Sequence, residues 1–114
     1  LATFCLNGAK GEFTPELISF SDGWSICCIL ASAGYPASSH SGDLISGLEN
    51  CEARVFHCGT KLTPEGWVTA GGRVLAIVAQ GDTLDAARTL AHAEAAKVDF
   101  DGSQRRSDIG YANM

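Results

Sequence analysis

The sequence predicts an α+β domain: a small, mostly antiparallel sheet or half-barrel with one helix packed on it. Three observations carry that expectation. Two apolar runs of strand length, residues 24–32 (WSICCILAS) and 73–80 (RVLAIVAQ), are hydrophobic on both faces. Shorter strand-like segments separated by Gly, Pro and Asp lie between them. A single helical stripe follows, made by Leu84, Ala87, Ala91, Ala95 and Val98. At 114 residues the chain has room for one modest core and not for two domains.

Taken in order, residues 1–9 (LATFCLNGA) read as the end of a helix. Leu1, Phe4 and Cys5 share a face, and Gly8 stands where a C-cap is expected. Residues 10–15 form a polar connection. Residues 17–20 are expected as a short strand before the turn Ser21-Asp22-Gly23. The run 24–32 is expected as a central strand covered on both faces. Residues 33–42 (AGYPASSHSG) form a loop in which Pro36 biases Tyr35 toward extended backbone. Residues 43–47 make a brief strand or turn, and residues 54–58 a second strand. Lys61-Leu62 and Trp67-Val68-Thr69 pair as a hairpin across Thr63-Pro64-Glu65-Gly66. After the strand 73–80, Gly81-Asp82-Thr83 opens a helix, with Asp82 as N-cap and Asp85 at N3. That helix runs roughly to Val98, with Asp85, Arg88 and Glu94 toward its rim and His92 on its outer side. The tail, residues 100–114, has no periodicity.

Composition narrows the function classes. Lys and Arg number 8 against 13 Asp and Glu, a net charge of −5. Non-specific nucleic-acid binding needs a basic footprint, so no nucleic-acid partner is expected. No run reaches the ~18 apolar residues of a membrane helix, and the first residues lack the basic region of a signal peptide. A cytoplasmic protein without a membrane partner is therefore expected. The five cysteines (Cys5, Cys27, Cys28, Cys51 and Cys58) are odd in number and contain no CxxC. Buried free thiols in a reducing compartment are favoured over a zinc site. Neither a P-loop nor a dinucleotide fingerprint is present, and His40, His57 and His92 form no usable set with Ser, Cys or Asp.

Four stretches in order carry a resemblance: ILASAGYPASSHSGDLISGLE, VFHCGTKL, VTAGGRVLAIVAQGDTLDAAR and FDGSQRRSDIG. Over residues 24–110 they resemble the C-terminal domain of phosphoribosylamine–glycine ligase (glycinamide ribonucleotide synthetase), an ATP-grasp enzyme of purine synthesis. The resemblance implies a compact sheet with a helix on it, related to the barrel-sandwich hybrid motif. It divides the chain into residues 1–22, the end of a linker helix and its connection, and residues 23–114, the C-terminal ligase domain. The ATP-grasp core of that family has no counterpart in this sequence. A start at Leu1, inside a helix, is expected to be a cut.

Lys61 and Arg73 flank a short polar turn, and together they suit a phosphomonoester: Arg offers a planar fork and Lys a mobile point charge. The plain alternative is a surface Lys and a surface Arg. The resemblance implies that basic residues on these strands hold the 5′-phosphate of a ribonucleotide. Gly71-Gly72 reads either as a phosphate-binding nest or as a turn that starts the strand sharply. Tyr35-Pro36 resembles a family loop bordering the amino-acid or ribose site; otherwise Pro36 simply shapes the loop and Tyr35 packs on the domain edge. His57 matches the family's VFHAGT, against the plainer reading of a hydrogen-bonded strand histidine. The family tail places an aromatic before two arginines and Asp-Ile-Gly. Here Arg105 stands at the aromatic position, Arg106 at the first arginine and Ser107 at the second, so a role of that second arginine is absent. Arg106 and Asp108 alternatively form a structural ion pair, worth little if exposed.

The implied reaction consumes ATP, glycine and 5-phosphoribosylamine and yields glycinamide ribonucleotide, ADP and phosphate. ATP and Mg or Mn would bind outside this chain. The chain would form a wall of the ribosylamine-phosphate site through Lys61, Gly72, Arg73, Tyr35 and Arg106, with no catalytic or metal-binding residue and no activity alone. The alternative is a standalone, non-catalytic sugar-phosphate-binding or interaction module. A biotinyl-type carrier is excluded, because it needs a lysine between methionines and Met114 is the sole Met.

Overall fold

The computed structural model describes residues 1–111; residues 112–114, the last three of the expected ligase domain, lie outside them. Helix α1 (Ala2–Ala9) precedes strands β1 (Trp24–Ala31), β2 (Arg54–His57), β3 (Thr60–Thr63), β4 (Gly66–Thr69) and β5 (Arg73–Gly81), and helix α2 (Leu84–Ala95) follows. Strands β1, β5 and β2 form an antiparallel sheet in the order β1-β5-β2, and β3 pairs with β4 as a separate hairpin. The α+β class and the hairpin are as expected.

β5 is the centre of the molecule. Val74, Leu75, Ile77 and Ala79 are buried, paired with β1 on one side and β2 on the other. The expectation of a central strand at 24–32 is corrected: β1 is an edge strand, with Cys27 exposed and Ile29 half-buried. Its inward residues, Cys28 and Leu30, join the core. Helix α2 lies across β5 and β1. Its stripe of Ala87, Ala91 and Ala95 is buried, and small side chains let the helix approach the sheet closely. Val98 and Phe100 close the same core beyond the helix end.

Details of α2 differ from expectation. Thr83, in extended conformation, is the N-cap, and its Oγ1 accepts the Ala86 N–H at 3.1 Å. The helix thus starts one residue later than an Asp82 cap requires, and Asp85 falls at N2. Glu94 is buried rather than at the rim, 2% exposed. Its carboxylate accepts N–H bonds from Glu52 (2.6 Å) and Ala53 (2.9 Å) and pairs with Lys97. These bonds fasten the segment entering β2 to the helix. His92 is half-buried, with Nε2 2.8 Å from the Ile109 carbonyl oxygen, so it holds the tail instead of facing solvent.

The first 22 residues also depart from expectation. Gly8 lies inside α1; Lys10 is the C-cap, and Gly11 takes the left-handed turn at φ +79°. No strand forms at 17–20, because no neighbouring strand is there to pair with; a 3-10 turn spans Pro15–Leu17 and Phe20 is exposed. The thiols are all free, but only Cys28 is buried, while Cys5, Cys27 and Cys58 are exposed. Outward-facing positions on an edge strand and a strand end account for Cys27 and Cys58. Among the described residues no helix is long and apolar enough to cross a membrane.

Candidate anion-binding site

The site is built around Ala31. A register irregularity between Leu30 and Ala31 sets Ala31 opposite Arg73, the first residue of β5. On its other side Ala31 bridges to Gln104, with reciprocal N–H···O bonds of 2.8 and 3.0 Å. The Gln104 side chain then donates to the carbonyls of Ser32 (2.9 Å) and Tyr35 (3.0 Å). One alanine therefore locates both the start of β5 and the tail, and Gln104 locks the tail to the 33–42 loop.

That loop bends through a cis Tyr35–Pro36 peptide. Ser32 donates to the Gly72 carbonyl at 2.8 Å, which brings the Tyr35 ring onto Gly72. A Cβ at Gly72 would lie 2.5 Å from Tyr35 Cδ2. The bare backbone predicted at Gly72 thus exists, but the tyrosine ring occupies it.

A cleft of about 400 Å³ opens here, lined by Ile29, Ala31, Tyr35, Pro36, Arg73, Gln104, Arg105 and Arg106. Three arginines meet an apolar floor, and among the described residues no carboxylate lines it. Tyr35 and Arg73 also border an adjoining recess of about 590 Å³ along Cys58, Gly59 and Gly72. Arg106 donates to Asp108 through Nε (2.8 Å) and a terminal nitrogen (2.5 Å). This hydrogen bonding holds the Asp108 carboxyl below its ordinary range and the guanidinium above its own. An acceptor-poor, cation-rich cleft is suited to an anion with several oxygens.

Of the predicted site residues, Tyr35, Arg73 and Arg106 line this cleft, and Gly72 lines the adjoining recess. Lys61 does not share the cleft with Arg73. It lines a third hollow of about 610 Å³ with Leu44, Thr63, Glu65, Val68 and Thr69. The physical reason is topological: β3 belongs to the hairpin, whereas Arg73 opens the central strand of the other sheet. Arg105, set aside in the sequence as a departure from an aromatic, is brought in; its signal was the adjacent arginine pair. His57 takes its plainer role, with Nδ1 2.8 Å from Thr60 Oγ1 and its ring 4.3 Å from that of Trp67. His40 and Asp43 pair at 2.5 Å in an exposed position, and that hydrogen bond raises the histidine pKa. Among the described residues no three His, Cys, Asp or Glu side chains are grouped to hold a metal ion.

Residues 25–112 match the family described as phosphoribosylglycinamide synthetase, C domain. The chain belongs to this family. It is 40% identical over 97 residues to a phosphoribosylamine–glycine ligase of Synechocystis sp., covering 82% of this chain and 23% of that protein. It is 38% identical over 115 residues to the one of Yersinia pestis, covering 97% of this chain and 27% of that protein. The chloroplastic Arabidopsis thaliana ligase is likewise 38% identical over 117 residues, with 97% of this chain and 22% of that protein covered. The crystal structure of phosphoribosylamine–glycine ligase from Thermotoga maritima has a TM-score of 0.84 at 33% identity, covering 94% of this chain and 26% of that one. The chain spans about a quarter of the length of these relatives. As a phosphoribosylglycinamide synthetase C domain, it has the expected α+β fold, and the cleft lies between its first strand, its central strand and its tail.

Proposed function

We propose that this chain is the C-terminal domain of a phosphoribosylamine–glycine ligase and that the arginine cleft forms part of its 5-phosphoribosylamine site. The observation that carries the reading is a cleft lined by three of the chain's eight cationic side chains and, among the described residues, no carboxylate, within a domain of this family. Under this reading residues 1–22 connect to an ATP-grasp core elsewhere in the same polypeptide, and the enzyme works in the cytoplasm. ATP supplies the phosphate that activates the glycine carboxyl, and the ribosylamine nitrogen then forms the amide. ATP and Mg or Mn belong to that core.

What this chain contributes is binding and orientation. The Arg73 fork donates to phosphate oxygens, Tyr35 and Pro36 limit the cleft, and Ile29 and Ala31 exclude water from its floor. An oriented sugar phosphate places its amine for attack, and excluding water protects an activated carboxyl from hydrolysis. Arg106 forms the wall with its charge matched by Asp108. Lys61, in its separate hollow, is outside the proposed phosphate contacts.

The test uses the full-length enzyme. Arg73→Ala is expected to raise KM for 5-phosphoribosylamine by about tenfold or more, the cost of a lost charge-assisted hydrogen bond, with KM for ATP nearly unchanged. An unchanged KM for the sugar phosphate would falsify the assignment.

A further inference from the structure

The three arginines of the cleft are not equivalent. Arg106 is committed: two of its nitrogens donate to the two oxygens of Asp108, so its charge is matched locally. Among the described residues Arg73 and Arg105 have neither an ion-pair partner nor a side-chain hydrogen bond. Both are exposed toward the same cleft. Two unmatched guanidinium groups facing one small apolar-floored space repel each other unless an anion lies between them. Their backbones are held in place as well. Arg73 is opposite Ala31 in the β1–β5 ladder, and Arg105 follows Gln104, which is bonded to Ala31, Ser32 and Tyr35.

We propose that Arg105 and Arg73 together form the phosphate clamp, with Arg106 held out of it by Asp108. The inference rests on the reading of the cleft as a sugar-phosphate site, and it assigns the second arm of that site to a residue on the tail. The charges agree: a phosphomonoester near neutral pH carries close to two negative charges, and the two free arginines supply two positive ones. A planar guanidinium fork can engage a pair of phosphate oxygens, so two forks lining one cleft can share one phosphate. A cleft of about 400 Å³ admits the phosphate together with a pentose.

The experiment is a titration of the full chain with ribose 5-phosphate, followed by calorimetry and by amide resonances, with ribose as control. Arg73→Gln, Arg105→Gln, Arg105→Lys and Arg106→Gln are compared, each first checked for an unchanged melting temperature and a dispersed amide spectrum. Arg105 makes no side-chain bond among the described residues, so its variants are expected to fold. Arg105→Gln and Arg73→Gln are each expected to weaken binding by roughly tenfold or more, and Arg105→Lys and Arg106→Gln by less than either. Arg105→Gln binding as tightly as the parent, while Arg73→Gln loses affinity, overturns the assignment of Arg105 and leaves the phosphate site standing. Loss confined to Arg106→Gln and Arg73→Gln overturns it in favour of Arg106. If the parent chain binds ribose 5-phosphate no better than ribose, the site itself falls and the clamp with it.

Discussion

Glu94 shows how much one side chain organises here. Its carboxylate is the shared acceptor for two backbone N–H groups of the segment entering β2 and for the Lys97 ammonium. Those hydrogen bonds, led by the one from Lys97, lower its pKa from the ordinary 4.5 to about 2. A carboxyl with a depressed folded-state pKa stabilises the fold fully above its unfolded value and loses that contribution as pH falls toward the folded one. Thermal stability is therefore expected to decline between about pH 5 and pH 2, and Glu94→Gln should flatten that part of the curve while lowering Tm by about 5 °C or more at neutral pH. An equally steep acid limb in the variant would remove Glu94 from the account. Gly72 gives a second prediction. Gly72→Ala puts a methyl group 2.5 Å from Tyr35 Cδ2, so the ring must move. Tyr35 ring resonances should shift, and ribose 5-phosphate affinity should fall severalfold, with the core amides unperturbed. In the sequence Tyr35, Gly72, Arg73 and Arg106 drew notice because each sits in a motif, and the structure sets them at one cleft and its adjoining recess. It left Glu94 unread, since its partners are main-chain N–H groups at residues 52 and 53, which no side-chain pattern announces. Arg105 was visible only as an oddity until the Ala31–Gln104 bridge gave it a place.

Contacts from α2 hold the tail beyond the arginines. His92 bonds the Ile109 carbonyl, Arg88 reaches the Gly110 carbonyl at 3.4 Å, and the Arg88 guanidinium lies 4.1 Å from the centre of the Tyr111 ring. His92→Ala is expected to speed amide exchange at Tyr111, whose N–H bonds the Asp108 carbonyl, and to leave β5 amides protected. Uniform acceleration across the sheet would mean that His92 serves the core instead. Among elements, the hairpin and β5 were readable from turn residues and apolar runs. The edge position of β1 was not, because an apolar run looks the same whether its neighbours number one or two. The missing strand at 17–20 has the same origin: strand propensity is local, and pairing partners are not.

Across the molecule, charge is unevenly spread. The chain carries −5 overall, yet three cations line one cleft. Attraction of a phosphate there works against the net field, so binding should weaken on going from about 0.05 to 0.5 M salt, as the Debye length contracts. Affinity indifferent to salt would argue against a cleft governed by arginine. The topology has a consequence for how such a chain is made. Trp24 pairs with Gly81, 81 − 24 = 57 residues later, and Ala31 with Gln104, 104 − 31 = 73 residues later. On the ribosome β1 emerges before its partner β5 and waits, apolar and unpaired, and domains of such long-range pairing gain their structure late. A released chain ending just before residue 104 would still hold every strand and both helices. It would still lack the cleft, which is finished only when the tail is stitched onto β1 through the Ala31–Gln104 bridge.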